Sequence, residues 1–206
     1  MKKPKEELTQ EKALALINYE QHTGHMFWKY RDLHWFKDTS KMDAKTNQRR
    51  WNERYAYKKC FTTIDPDGYK KASVLGCMYP AHRVIWLMIH GRFPLDMIDH
   101  INGNPGDNRL ENLREVDRWE NAKNQKLAKN NASGVIGVEY WHSAKRSKQW
   151  VARISVQGKR IFLGYFGTFE EAVAARKAAE IEHGYHKNHG RKRLLTPDLI
   201  CFKNGL

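Results

Sequence analysis

The sequence predicts an α+β protein in two parts, and three observations carry that prediction. Residues 97–127 read as a short apolar strand, a polar loop, a second strand and a helix opened by Asp117. Residues 135–184 read as three antiparallel strands divided by turn signals and closed by an alanine-rich helix packed on the sheet. Between them "AKNNASG", residues 128–134, is polar and without periodicity, which is the composition of a linker. The expected organisation is an N-terminal part over 1–127, the linker, a second domain over 135–184 and a basic tail over 185–206. With 206 residues, 40% hydrophobic and 12% aromatic, the chain can fill one large core or two small ones.

Taken in order, residues 8–22 predict an amphipathic helix, with Leu8, Ala13, Leu14 and Ile17 at helical spacing. "GHMFWKYRDLHWF" and "NQRRWNERYAYKKC" are aromatic and basic. They fit contacts to phosphates or the minor groove, and equally a small helical layer on the core. "IDPDGYKKASVLGCMY" predicts a β-hairpin around its Pro-Asp-Gly turn. "AHRVIWLMIHG" predicts a buried helix ended by Gly91, with Pro94 beyond it. "MIDHI" and "LREVD" are the two strands flanking the loop "NGNPGDNRLEN". Asp117 followed by Glu120 is a capping box for "RWENAKNQKLAKN". Thr168 and Glu171 do the same for "FEEAVAARKAAEIEHG".

Charge narrows the partner. The 37 Lys and Arg against 23 Asp and Glu give a net charge of +14 and a pI near 9.7, which favours a polyanion, nucleic acid first among them. A membrane surface is disfavoured, because no basic amphipathic helix of useful length and no apolar run near the ~18 residues of a span is present. The first residues lack the apolar region of a signal peptide. Three widely spaced cysteines, Cys60, Cys77 and Cys201, fit free thiols in a reducing cytoplasm and exclude a four-cysteine zinc site.

The chemistry concentrates in "IDHINGNPGDNRLENLREV", residues 98–116. Asp99 and His100 end the first strand, Asn112 follows His100 by twelve residues, and Asn121 follows by nine more in the capped helix. Folded back, the unit sets the helix face carrying Asn121 against Asp99 and His100. A carboxylate and an amide oxygen suit Mg²⁺ or Mn²⁺. The imidazole suits activation of water near neutral pH. Asn112 is placed to hydrogen-bond across the loop and orient the imidazole. Asn102, Asn104 and Asn108 read as turn residues, with Asp107 capping or bridging the loop.

The run "AHRVIWLMIHGRFPLDMIDHINGNPGDNRLENLREVDRWENAKN" resembles the HNH endonucleases of bacteriophages, including the homing type, over roughly residues 50–130. The resemblance implies a ββα-metal nuclease core at about 96–127. His100 would be its general base and Asn112 its central, buttressing Asn. Asp99 and Asn121 would hold one divalent ion per site, Mg²⁺ or Mn²⁺. Asn121 stands where other branches carry a last His, so the pattern is an H-N-N variant. His82 and Arg83 occupy the family's relative place before the helix, as a phosphate contact or as an anchor.

Residues 118–165 hold ten Lys or Arg against two Glu. In "WVARISV", Trp150, Ala152, Ile154 and Val156 are expected to face the helix, leaving Arg153 and Ser155 outward. On the next strand Ile161 and Leu163 should point in, and Arg160 and Phe162 out. Such a basic face suits a major groove. Residues 131–184 resemble the Apetala/ERF-type DNA-binding domain, whose DNA-facing positions fall on Glu139, Trp141, Arg153, Ser155, Arg160 and Phe162, with Glu139 and Ser155 as departures. The expected DNA-binding set is Trp141, Lys145, Lys148, Arg153, Ser155, Lys159, Arg160 and Phe162, together with Arg83. His183, His186 and His189 recur every third residue but lack a completing ligand, and read as chance clustering in a solvated tail.

The sequence therefore predicts a divalent-metal-dependent endonuclease of phage homing type acting on double-stranded DNA in the host cytoplasm, with no membrane and no obligate protein partner. The alternative is a catalytically inactive DNA-binding regulator built on the same two domains.

Overall fold

The structure is a computed structural model that describes residues 7–142 and 147–192. It divides into two compact units, Met1–Glu115 and Val116–Leu206. The division precedes the polar stretch 128–134.

In the first unit, helix α1 (Gln10–Leu16) opens on Thr9, whose hydroxyl accepts from the Lys12 N–H. The helix expected over 8–22 stops at Leu16, because Ile17 is already extended and starts β1 (Ile17–Glu20). This strand pairs antiparallel with β2 (His25–Trp28), Ile17 opposite Trp28. Pairing satisfies the backbone while Ile17, Met26 and Trp28 enter the core, which outweighs extension of a short helix. The basic stretch after it forms α2 (Ala44–Tyr55), capped by Asp43. It buries no residue fully. Its anchor is Trp51, on whose ring the Arg31 guanidinium lies at 3.8 Å.

Three strands follow where one hairpin was expected: β3 (Thr63–Ile64), β4 (Lys70–Val74) and β5 (Cys77–Pro80), in that order in one antiparallel sheet. The Pro-Asp-Gly turn joins the first pair, where Asp65 Oδ1 accepts from the N–H groups of Asp67 and Tyr69. Leu75 and Gly76, both at positive φ, join the second. Helix α3 (Ala81–His90) buries Val84, Ile85, Trp86, Leu87 and Met88, and ends at Gly91 in the left-handed region. Strands β6 (Met97–His100) and β7 (Leu113–Val116) form a two-stranded sheet, with Ile98 and Leu113 in the same core as α1 and α3.

The second unit opens with α4 (Arg118–Ala122), shorter than the helix expected to 130. Asp117 Oδ1 accepts from the Glu120 N–H. Beyond Ala122 the backbone bonds elsewhere. Lys123, Gln125 and Leu127 exchange hydrogen bonds with His186, Gly190 and Arg191, and Arg191 also donates to the Asn124 carbonyl. Trp119 lies against Gly158, where an added Cβ would come within 2.4 Å of its ring. Strands β8 (Val138–Tyr140), β9 (Trp150–Val156) and β10 (Lys159–Phe166) form an antiparallel sheet in the order β10-β9-β8. Helix α5 (Phe169–Glu182), with both bonds of the Thr168/Glu171 capping box, covers one face. Val138, Ala152 and Ala172 make the centre of this small core.

The histidines near the end do not all lie in solvent. His189 is buried, and Arg176 Nη2 donates to its Nε2 at 3.2 Å while Arg176 Nε donates to Glu180. The expectation of a solvated tail fails for it, because residues 186–191 pair with 123–127. Burial, with Arg176 beside it, holds His189 down at about 4, against a partial upward pull from Glu180. A histidine with a depressed folded-state value binds its proton first in the unfolded chain. Stability of the second unit is therefore full above about 6.5 and lost as the pH falls toward about 4, at up to ~1.4 kcal/mol per pH unit. Hydrogen exchange of β9 amides between pH 7 and 4.5 measures this; an equal slope in His189→Gln would contradict it.

Among the described residues, no helix is long and apolar enough to cross a membrane. Cys60 and Cys77 are free thiols, and Cys201 lies outside the described residues.

Candidate active site

The loop between β6 and β7 is built from short polar side chains that fold the backbone onto themselves. Asn102 Oδ1 accepts from the Asn104 N–H at 2.8 Å, and Asn104 Oδ1 from the Gly106 N–H at 3.0 Å. Asp107 bridges the loop, taking Asn102 Nδ2 on one side and the Arg109 guanidinium on the other. That pairing, chiefly with Arg109, lowers the Asp107 carboxyl to about 2. Asn112 ties the two ends together: its Oδ1 accepts from the Asn102 N–H at 2.8 Å and its Nδ2 donates to the Asp107 carbonyl at 2.8 Å.

At the end of β6, Asp99 and His100 are 7% and 4% exposed. The Arg114 guanidinium, on neighbouring β7, donates to Asp99 Oδ2 through Nε at 3.0 Å and Nη2 at 2.8 Å. His100 Nε2 lies 3.3 Å from Asn108 Oδ1. Asn108, expected to be a plain turn residue, is only 1% exposed. Its burial comes from the N-terminal hairpin closing over the loop. Tyr19 donates its hydroxyl to the Asn108 carbonyl at 2.8 Å, and the Leu110 N–H reaches the Gln21 carbonyl. Gly24, at φ +70°, sits where any Cβ would come within 2.6 Å of the Asn108 and Arg109 backbone. Burial pushes the Tyr19 phenol up to about 12, so it remains a donor.

Two more rings complete the surroundings. His82, on α3, meets His100 edge-on with ring centroids 5.3 Å apart, and Tyr69 lies 5.8 Å from His100. Burial, then the neighbouring His100 and Arg83, lower His82 to about 3, so it is neutral at physiological pH. Its Nδ1 is buried without a hydrogen-bond partner. Arg83 donates to the Asp96 carbonyl at 3.3 Å and lies over Phe93, contacts that tie α3 to the chain after it.

Asp99, His100 and Asn112 thus lie together in the first unit, while Asn121 lies on α4 in the second. Asn108 and Arg114 join the first group without having been expected. Among the described residues, no three His, Cys, Asp or Glu gather as metal ligands. A cation here would be held by one carboxylate with amide oxygens and water, a hard-oxygen set that suits Mg²⁺ rather than Zn²⁺.

Most of the residues expected to bind DNA fall on β9 and β10. Arg153 pairs directly with Phe162 and Ser155 with Arg160 across β9 and β10, so all four share the face away from α5. Lys148, Ser155, Lys159, Arg160 and Phe162 are exposed; Lys145 lies outside the described residues. Arg153 Nη1 bonds Glu139 at 3.2 Å and approaches the exposed Trp141 ring. One expectation fails: Ile161, expected inward, is 38% exposed. Ile161 sits on the edge strand, before an irregularity between Phe162 and Gly164 that breaks the alternation.

Residues 79–123 match the HNH endonuclease family model, which places an HNH endonuclease domain from β5 to just past α4. The chain is also similar to Protein 3.8 of Escherichia phage T7, 35% identical over 80 residues. The similarity covers 38% of this chain and spans 64% of that protein's length. No solved structure matches the chain.

Proposed function

We propose that the chain is a divalent-metal-dependent HNH DNA endonuclease of phage homing type, whose C-terminal unit is an Apetala/ERF-type reader that locates the cleavage site. The observation that carries this reading is the buried Asp99–His100 pair, braced by loop amides, inside the segment that matches the HNH family.

The position of Asn108 supports a general-base role for the imidazole. Asn108 Nδ2 donates to the Gly106 carbonyl at 3.4 Å, which turns Oδ1 toward His100. In the tautomer that donates from Nε2 to Asn108, Nδ1 would be the basic nitrogen that takes a proton from the attacking water. Asn112 acts on the loop, holding its ends so that Asn108 stays in place. Asp99 would hold the ion, with Arg114 fixing the orientation of its carboxylate. A divalent ion bound there neutralises charge on the phosphate and the leaving 3′-oxygen. On the second unit, Glu139 holds the Arg153 guanidinium on the exposed face, beside Ser155, Arg160 and Phe162. Supercoiled plasmid incubated with the protein and Mg²⁺ or Mn²⁺ at low salt tests the reading. Nicked or linear product is expected, and an intact plasmid overturns it.

Arg114 supplies a separate prediction. Groups that orient a metal ligand are typically worth about ten- to hundredfold in metal affinity or activity. Arg114→Gln is expected to raise the Mg²⁺ concentration for half-maximal cleavage by about that factor. An unchanged Mg²⁺ dependence would remove Arg114 from the site.

A further inference from the structure

A cavity of about 210 Å³ opens in the first unit on the side of Asn108. At about 30 Å³ per water, that is space for about seven waters, or for an anion with part of its hydration shell. Its polar lining includes two lysines, Lys59 and Lys70, with His25, Thr62 and Asn108. Neither lysine forms an ion pair with a carboxylate among the described residues, although neighbouring Lys71 faces Asp65 at 4.0 Å. Lys70 runs beside the catalytic loop, its Cε 3.9 Å from where a Cβ on Gly106 would stand. Ala81, the first residue of α3, is another wall. The N-cap of that helix is Pro80, which provides no side-chain cap to its first N–H groups.

Two lysines, a histidine and the first residue of a helix lining one cavity are a composition that suits an anion. Asn108 lines the cavity, and its side chain bonds His100. We infer that the cavity receives a backbone phosphate of the DNA, one flanking the phosphate attacked beside His100; the flanking assignment rests on the nuclease reading. Lys59 and Lys70 contact its non-bridging oxygens. The site fixes the register of the strand, so that the attacked phosphate is presented to His100 while its neighbour is held.

Binding of full-length protein to a short duplex, without divalent metal, tests this independently of cleavage. Each phosphate contact contributes about 0.9 to the log–log salt slope. The double variant Lys59→Gln/Lys70→Gln is expected to bind about tenfold more weakly at low salt, with a slope reduced by about 1. Lys70→Arg, which keeps the charge, should restore most of the difference and guards against a folding defect. A duplex series with one neutral methylphosphonate at each position separates this pocket from general charge loss. One position should weaken the wild-type protein about tenfold and leave the double variant unaffected. A wild-type slope in the double variant, or equal losses for both proteins at every position, overturns the site. If the slope changes but no plasmid cleavage occurs, the phosphate site stands and the nuclease reading falls. If cleavage occurs with an unchanged slope, the pocket alone is overturned.

Discussion

Replacing His100 by alanine is expected to lower the rate of Mg²⁺-dependent plasmid cleavage by about 10²- to 10⁴-fold, the range ascribed to a positioned general base. The imidazole is 4% exposed, oriented by Asn108, and packed against the neutral His82 and Tyr69 rings. A side chain so enclosed contributes little to the electrostatic capture of DNA, which comes from exposed Lys and Arg. Duplex affinity of His100→Ala should therefore remain within a few-fold of wild type. Single-turnover cleavage and anisotropy titration measure the two separately. A variant that cuts at the wild-type rate removes His100 from the chemistry. One that loses binding and cleavage together assigns His100 to structure instead.

The second large effect is expected at Gly24. A left-handed backbone costs a residue with a Cβ about 1–2 kcal/mol, and forcing atoms into packed backbone costs about 1–3 more. At φ +70° and 2.6 Å from the Asn108 and Arg109 backbone, Gly24→Ala incurs both. We expect a loss of about 3 kcal/mol, or roughly 10 °C in Tm, with reduced cleavage because the hairpin no longer seats Asn108. Gly76→Ala is the matched control. It has φ +78° with nothing within 4 Å, so only the conformational cost applies. Equal Tm losses in the two variants would show that the hairpin does not clamp the loop.

Much of the secondary structure was legible because its signals are local. Gly91 ends α3, Asp117 opens α4, and Thr168 with Glu171 opens α5, all through bonds within a few residues. Helix α2 was legible only as one of two readings of its basic, aromatic stretch. With no fully buried residue it lacks apolar periodicity, and it depends on Asp43 and on Arg31 against Trp51. The end of α1 was misjudged because the competing strand gains its stability from β2, eight residues on. His189 escaped for a similar reason: its burial depends on residues 123–127, some sixty positions earlier.

By itself the sequence determined the chemical inventory and its spacing: an Asp-His pair, Asn112 twelve residues on and Asn121 nine beyond it, in a chain of charge +14. What it did not determine was how the loop asparagines divide their labour. Asn102, Asn104 and Asn108 have the same turn-forming chemistry, and nothing within the loop distinguishes them. Only the β1–β2 hairpin, folding over from eighty residues away, drives Asn108 inward against His100 and leaves Asn102 and Asn104 to their turns. Burial is a property of the closed fold, so a side chain's environment is decided by whatever packs over it, wherever in the chain that segment lies.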